Sequence, residues 1–395
     1  MTHALSVDPI VEGPALWRHI LPTCRPSGCW RPGDPNGRRQ WHRLAEPLPL
    51  EFGGCLPDVH LAYETWGNLA PDGSNAILLL HALTGDSHAA GLPAPGHPTV
   101  GWWDSLIGPG RALDPDQFFL VAPNALGGCQ GSTGPSSLAP DGRVWGSRFP
   151  ALTIRDQVAA EVALTDALGI SRWAAVIGGS MGGMRALEWA CCEPDRVERL
   201  GLLACPAAAT ADQIAWSSAQ LHAIRGDAGW LDGDYHAQPA GCGPHRGLAT
   251  ARRIAHITYR GSVEFDQRFG RRPQTGEDPL SGGRYAVESY LDYQAAKLVQ
   301  RFDAGSYVVL TEAMNHHDVG RGRGGVDRAL SRVTARTGIA GITSDRLFPL
   351  ALQHELAAAL PHCAAPRIIE SFSGHDAFLS ETEQIAEFLK DVLHQ

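Results

Sequence analysis

A short segment of glycine, serine and methionine, Gly178–Gly183, restricts the possible folds of this chain more than any other feature. It follows an apolar run, Trp173–Ile177, and precedes a helix-like stretch, Met184–Cys191. The pattern Gly-x-Ser-x-Gly, centred on Ser180, therefore stands in a strand–turn–helix context. The flanking glycines remove side chains that would collide where strand and helix approach each other. The segment predicts a nucleophilic serine at the carboxyl end of a buried strand.

Short apolar runs that alternate with helix-like stretches indicate a parallel sheet. Turn residues bound these runs, as is typical of buried strands. The runs are His60–Tyr63, Ala76–Leu80, Phe118–Ala122, Trp173–Ile177, Leu200–Cys205, Gly338–Thr343 and Arg367–Phe372. Apolar residues recur at helical spacing over Thr153–Leu168, and a last helix is predicted over Glu381–Leu393. We predict an α/β fold with a mostly parallel sheet.

The pattern divides the chain into three regions. Residues 1–45 are rich in Pro, Gly, Arg and Trp without a helix or strand period, which predicts a flexible N-terminal extension. Residues 46–206 and 331–395 carry the strand–helix alternation and form the predicted core domain. Residues 207–330 contain helix-like stretches with few strand-like runs, and we interpret them as an inserted helical lid domain.

Composition excludes several classes of function. The 33 Lys and Arg residues against 42 Asp and Glu give a net charge of −9, which argues against a nucleic-acid or anionic-membrane partner. The apolar runs fall far short of the roughly 20 residues that span a bilayer, and the N-terminus lacks the pattern of a signal peptide. The nine cysteines have no framework spacing, which argues against a disulfide scaffold. We expect a cytoplasmic protein.

A serine on this kind of turn needs a histidine base and an acid that orients the histidine, in the chain order Ser, Asp, His. Asp345 directly follows the predicted strand Gly338–Thr343, and His375 follows the last predicted strand. Open α/β sheets place catalytic groups at the carboxyl ends of their strands. We predict a catalytic triad of Ser180, Asp345 and His375.

Acyl chemistry on such a triad also needs an oxyanion hole made of backbone N–H groups. One comes from the residue after the serine, Met181, and the other from the loop after an earlier strand, where we assign Leu83. No metal or bound cofactor is expected. His354-Glu355 lacks the second histidine of the zinc-protease motif, and the adjacent histidines of His316–Asp318 are more typical of a structural role. Gly320–Gly325 does not follow a strand, as a dinucleotide-binding fingerprint would.

Several blocks of the sequence resemble the homoserine O-acetyltransferase family. They are Leu83–His88, Gly101–Asp104, Asn124–Pro135, Gly178–Gly183 and Gly341–Arg346. The resemblance runs from about residue 46 to residue 393, and is strongest to members that carry the Gly320–Gly325 segment. It implies an α/β-hydrolase fold with a helical lid, usually a homodimer, and the same triad.

The resemblance also implies three contacts to an amino-acid substrate: Arg252, Tyr259 and Asp376. Their chemistry fits, since a guanidinium can hold the substrate carboxylate with two hydrogen bonds and a carboxylate can hold the ammonium. One departure lies in the first lid helix, where many members have an arginine before Gln-Ala-Ile and this chain has Leu221–Ile224.

The sequence therefore predicts transfer of an acetyl group from acetyl-CoA to the hydroxyl of L-homoserine through an acyl-enzyme on Ser180, a step of methionine biosynthesis. Acetyl is favoured over succinyl because the neighbours of Ser180 are uncharged and Arg185 lies roughly 140° around the helix. The alternatives are a serine or homoserine O-succinyltransferase, another hydroxyl acyltransferase of the family, an esterase, or a binding protein that keeps the fold without the chemistry.

Overall fold

The structure, a computed structural model, describes residues 23–394. Its strands are β1 (Gln40–Arg43), β2 (Leu48–Pro49), β3 (Cys55–Leu56), β4 (His60–Trp66), β5 (Ala76–Leu80), β6 (Phe119–Pro123), β7 (Ala175–Gly179), β8 (Arg199–Leu203), β9 (Arg336–Ile342) and β10 (Arg367–Ile369). Eight of them form one sheet in the order β1-β4-β6-β5-β7-β8-β9-β10, and β2 pairs with β3. The neighbouring strands from β6 to β10 run parallel, and β4 is antiparallel to β1 and β6. The mostly parallel sheet predicted from the sequence is confirmed.

Burial on both faces explains the continuous apolar runs. Every residue of β5 and β7 is buried, because helices cover the sheet on both sides. β7 extends two residues beyond the apolar run Trp173–Ile177. Gly178 and Gly179 pair with Leu202 and Leu203 of β8 and so carry the ladder up to the serine.

The helices follow the predicted alternation. They are α1 (Ile154–Ala167), α2 (Met181–Cys192), α3 (Ala211–Arg225), α4 (His245–Tyr259), α5 (Ser262–Arg268), α6 (Ala286–Arg301), α7 (Ala304–Asn315), α8 (Val326–Leu330), α9 (Leu350–Ala359), α10 (Ala377–Ser380) and α11 (Thr382–His394). Helices α3 to α8 lie between β8 and β9, in the region where the sequence predicts the lid. Over residues 23–394, no helix combines the length and apolar character needed to cross a membrane.

The segment between residues 23 and 45 differs from the predicted flexible extension. Gln40–Arg43 forms β1 at the edge of the sheet. Gly28 donates its N–H to the carbonyl of Phe302 at 3.2 Å, and Trp30 donates to Cys129 at 3.0 Å. Proline and glycine interrupt the helix and strand periods here, but the interruptions shape a loop that packs on the core. The prediction is wrong for this segment, and residues 1–22 lie outside the described part of the chain.

Candidate active site

Ser180 lies on a strained turn between β7 and α2, with φ 56° and ψ −125°. Residues other than glycine avoid this region of backbone space, so the surrounding structure must hold the serine there. A Cβ atom on Gly178 would collide with the backbone of Gly182, and one on Gly182 would collide with the carbonyl of Leu80. Glycine is therefore required at both positions, as the motif predicts. The N–H of Ser180 is held by the carbonyl of Leu203 at 2.9 Å.

His375 and Asp345 form the second part of the site. Nδ1 of His375 lies 2.6 Å from Oδ2 of Asp345, and Oδ1 of Asp345 accepts the N–H groups of Leu347 and Phe348 at 2.9 and 2.8 Å. An ionised carboxylate can only accept hydrogen bonds, so Nδ1 of His375 must be the donor to Asp345. We therefore assign the imidazole proton to Nδ1. Nε2 of His375 is buried and has no hydrogen-bond partner among residues 23–394. An unpartnered ring nitrogen of this kind can take a proton from a serine.

Aromatic rings fix the plane of the His375 imidazole. The Phe348 ring stacks on it with centroids 4.8 Å apart, and the Phe378 ring meets it edge-on at 5.3 Å. The Tyr259 ring lies 5.8 Å away on the lid side. These contacts restrict rotation of the imidazole and keep water from its faces.

The two predicted oxyanion donors lie on separate elements. Met181 is the first residue of α2, where helix geometry leaves the N–H without a partner in the helix. Leu83 lies in a β-turn closed by the N–H of Gly85 and the carbonyl of Ala82, 2.9 Å apart. Neither the Leu83 nor the Met181 N–H donates to a backbone acceptor within the described chain. Both are therefore free to bind a negatively charged oxygen.

His81 holds this turn in place. Its Nε2 accepts the N–H of Ala125 at 3.0 Å, so the proton is on Nδ1, which lies 2.7 Å from the carbonyl of Ala82. Burial, assisted by the charge of Arg185, lowers the pKa of His81 to about 3. The ring is thus neutral at physiological pH, which suits a structural role.

Arg252 and Tyr259 lie two turns apart on one face of α4. The Arg252 guanidinium stands 5.8 Å from the centroid of the Tyr259 ring, which in turn faces His375. Within residues 23–394, no acid pairs with this guanidinium, and its buried Nε has no hydrogen-bond partner. A cation left unpaired inside a protein is unfavourable unless a ligand supplies the anion.

Asp376 is also near the site but already has a partner. Its Oδ2 lies 3.4 Å from Nη1 of Arg260, which also pairs with Glu264. Oδ1 of Asp376 forms no hydrogen bond with residues 23–394 and is available as an acceptor.

Sequence reasoning missed several residues that line a small cavity beside Leu83. The cavity has a volume of about 30 Å³ and contains both lid and core residues. Its lining includes Leu83, Met184, Gln213, Trp216, Gln220, Tyr259, Thr311, Met314, Leu347 and Phe348. No Lys or Arg is among the lining residues, and the Oγ1 of Thr311 is buried without a partner. No local signal identifies these residues, because the packing of α3 and α7 over the core brings them together.

Glu64, His88 and His97 form a buried cluster whose ligand atoms lie within 4.8 Å of one another. The two imidazoles stack almost parallel, 3.9 Å apart. A metal ion shared by parallel rings would lie out of both ring planes, whereas the nitrogen lone pairs lie in those planes. Glu64 already accepts from the hydroxyl of Ser87 at 2.9 Å and lies 3.2 Å from Nδ1 of His88. We interpret the cluster as a hydrogen-bond network, and the absence of a required metal stays a prediction.

Comparison with known proteins first defines the class. A sequence model of the alpha/beta hydrolase fold matches residues 75–382, which agrees with the sheet order and the position of Ser180. A homoserine O-acetyltransferase from Thermobifida fusca is 66% identical over 369 residues, which is 93% of this chain and 97% of the relative. The enzyme of that name from Mycobacterium tuberculosis is 57% identical over 346 residues, covering 88% and 91%. The chain belongs to the homoserine O-acetyltransferase family.

Solved structures agree with this assignment. The homoserine O-acetyltransferase from Bacillus anthracis superposes with a TM-score of 0.82 at 27% identity, covering 90% of this chain and 98% of that one. An acetylester hydrolase from Corynebacterium glutamicum superposes with a TM-score of 0.78 at 28% identity, covering 91% and 97%. The resemblance and the α/β-hydrolase fold predicted from the sequence are confirmed.

Proposed function

We propose that the chain transfers an acetyl group from acetyl-CoA to the side-chain hydroxyl of L-homoserine, through an acetyl ester on Ser180. The observation that carries the proposal is Nε2 of His375, which is buried and unpartnered while Nδ1 is held by Asp345. Family membership supplies the two substrates.

In the first half-reaction, Nε2 of His375 takes the proton of the Ser180 hydroxyl as the serine oxygen attacks the thioester carbonyl. The N–H groups of Leu83 and Met181 stabilise the charged oxygen of the tetrahedral intermediate. Asp345 stabilises the imidazolium. Collapse of the intermediate breaks the carbon–sulfur bond, and His375 gives its proton to the departing CoA sulfur.

In the second half-reaction, homoserine replaces CoA. Its hydroxyl gives a proton to Nε2 of His375 and attacks the acetyl ester, and the Ser180 oxygen leaves and regains that proton. The unpaired guanidinium of Arg252 holds the homoserine carboxylate, and Oδ1 of Asp376 accepts from the ammonium. The Tyr259 ring lies 5.8 Å from the Arg252 guanidinium and 5.8 Å from the His375 ring, so it is placed to contact the bound homoserine.

The surroundings of the site favour acetyl over succinyl. The Nε of Arg185 donates to the buried carboxylate of Glu161 at 2.8 Å, Arg260 pairs with Glu264, and Arg225 pairs with Glu312. The cavity beside Leu83 is small and has no cation in its lining. A succinyl carboxylate placed in that cavity would be buried without a cation to balance its charge, which is costly.

An esterase is the second candidate, because several structural neighbours are named esterases, among them esterase E22 and the acetylester hydrolase from Corynebacterium glutamicum. Arg252 favours transfer over hydrolysis, since water needs no carboxylate partner. The deciding experiment gives the protein acetyl-CoA or succinyl-CoA with homoserine, serine or water, and identifies products by mass spectrometry. We expect O-acetylhomoserine to form with the highest kcat/KM. Acetate as the main product at saturating homoserine, or a kcat/KM for succinyl-CoA equal to that for acetyl-CoA, would contradict the proposal.

We also propose that the protein acts as a cytoplasmic homodimer. Exposed apolar side chains on lid helices α3 and α4, Ile214, Trp216 and Ile257, are 37–40% exposed and offer a surface for a second copy. Light scattering at micromolar concentration should give twice the 42.3 kDa mass of the chain.

A further inference from the structure

Arg301 connects the lid to the turn that carries the Leu83 N–H. It is the last residue of α6, and its Nη1 donates to the carbonyl of Thr84 at 2.8 Å. Thr84 and Leu83 are the two central residues of the turn closed by Ala82 and Gly85. His81 holds this turn on the core side, and Arg301 holds it on the lid side.

The base of the Arg301 side chain is itself anchored. Nε2 of Gln130 donates to the carbonyl of Arg301 at 2.7 Å, which satisfies one of the open carbonyls at the end of α6. Oε1 of Gln130 accepts from Nη2 of Arg39 at 3.0 Å. The segment before β1 and the loop after β6 therefore fix the point from which the guanidinium reaches Thr84.

The charged side chain of Asp86 stabilises the segment that directly follows this turn. Asp86 follows the turn by one residue, and Trp102 donates to its carbonyl at 3.0 Å. Burial alone would raise the pKa of Asp86, but the charges of Arg301 and Arg39 and the N–H of His88 lower it below its ordinary value. Asp86 thus remains ionised and attracts Arg301 toward the loop.

We propose that Arg301 is a positioning residue for acyl transfer, which orients the Leu83 N–H in the oxyanion hole through the carbonyl of Thr84. The inference rests on the proposed function. A hydrogen bond to one peptide of a two-residue turn restricts rotation of the turn as a whole. Stabilisation by an oxyanion donor depends on placing that donor accurately, so a loosened turn slows acylation.

A direct substrate contact is the competing role. The charges of Arg301 and Arg252 are close enough to interact, and a substrate carboxylate could bridge them. The two roles differ in the step that they affect. A positioning residue changes the rate of acetyl-enzyme formation before homoserine binds, whereas a carboxylate contact changes the KM for homoserine.

The test uses Arg301→Met, Arg301→Lys and a control, Arg253→Met, which removes a lid arginine paired with Asp292 of α6. Acetyl-enzyme formation is followed by rapid quench and intact mass, since exposed thiols such as Cys55 and Cys242 would react with the thiol reagents used to detect CoA. We expect Arg301→Met to slow acetylation roughly 10- to 100-fold, less than the 10²–10³ lost with an oxyanion donor. Arg301→Lys should recover part of the rate, because an ammonium can donate to Thr84. Arg253→Met should acetylate at the parent rate.

A second measurement separates the oxyanion hole from general damage. The rates of acylation by p-nitrophenyl acetate and by its thionoester are compared. The oxyanion hole accelerates the oxygen ester more than the thionoester, because sulfur accepts hydrogen bonds poorly. A displaced Leu83 N–H should therefore lower the ratio of the two rates in both Arg301 variants. An unchanged preference, or a normal acetylation rate with a raised KM for homoserine, would overturn the positioning role. Acetyl transfer by Ser180→Ala would instead overturn the proposed function, so the two failures are distinguishable.

Discussion

Arg252 is the residue that most directly separates an amino-acid acyltransferase from a general esterase. Its guanidinium lies beside Tyr259 without an acid partner in the described chain, and in the proposed function the substrate carboxylate supplies that partner. We predict that Arg252→Lys raises the KM for homoserine at least about tenfold, because lysine cannot form the two-pronged contact. Acetylation of Ser180 by acetyl-CoA should stay within about threefold of the parent rate, because the role proposed for Arg252 is confined to the half-reaction with homoserine.

The measurement is steady-state kinetics at varied homoserine, together with single-turnover acetylation. Arg253→Met serves as the control, since it removes the neighbouring arginine and keeps Arg252. Equal damage to both half-reactions in Arg252→Lys would remove Arg252 from the acceptor site.

The residues of the proposed triad are predictable from the sequence, because the motif around Ser180 and the chain order of the fold select Asp345 and His375, which the structure pairs at 2.6 Å. Arg301 is not predictable in this way. It contacts Thr84 across the boundary between lid and core, and helix packing creates that contact without a local signal. The ion pair between Asp376 and Arg260 also depends on packing, since Arg260 extends to Asp376 from the end of α4.

At the scale of elements, the sequence predicts best the strands that are buried on both faces. β5 and β7 read as continuous apolar runs because helices cover them on both sides. β1 is missed because Gln40–Arg43 is an antiparallel edge strand with no fully buried residue, so it lacks the apolar run of an inner strand. The end of β7 is also missed, since glycines carry little strand signal until Leu202 and Leu203 pair with them.

At the scale of the whole molecule, buried neutral histidines make stability depend on pH. His317, which follows α7, is buried, and its Nε2 lies 3.2 Å from the carbonyl of Pro206, the residue before the lid. Burial lowers its pKa to about 4, against roughly 6.5 in the unfolded chain. The unfolded state therefore takes up the proton first as pH falls. The folded protein keeps the full contribution of neutral His317 to its stability above about pH 6.5, and loses that contribution progressively toward pH 4.

We predict that the free energy of unfolding falls by about 2 kcal/mol more in the parent than in His317→Gln between pH 7 and pH 5. Urea unfolding at the two pH values measures both proteins under matched conditions. His81, whose pKa is lowered to about 3, adds the same trend to both proteins and cancels in the comparison. An equal loss in parent and variant would show that His317 is not neutral and buried in the folded protein.

The central claim is that an acetyl group passes through Ser180, and mass spectrometry of the digested protein tests it most directly. The protein is mixed with acetyl-CoA alone, quenched and digested, and homoserine is then added to a parallel sample. We predict one acetyl group on the peptide that contains Ser180, its loss when homoserine is added, and matching formation of O-acetylhomoserine. Ser180→Ala should show neither adduct nor product, because the variant lacks the hydroxyl on which the acetyl ester forms. Product formation by Ser180→Ala at more than a few per cent of the parent rate, with no adduct in the parent, would contradict the account.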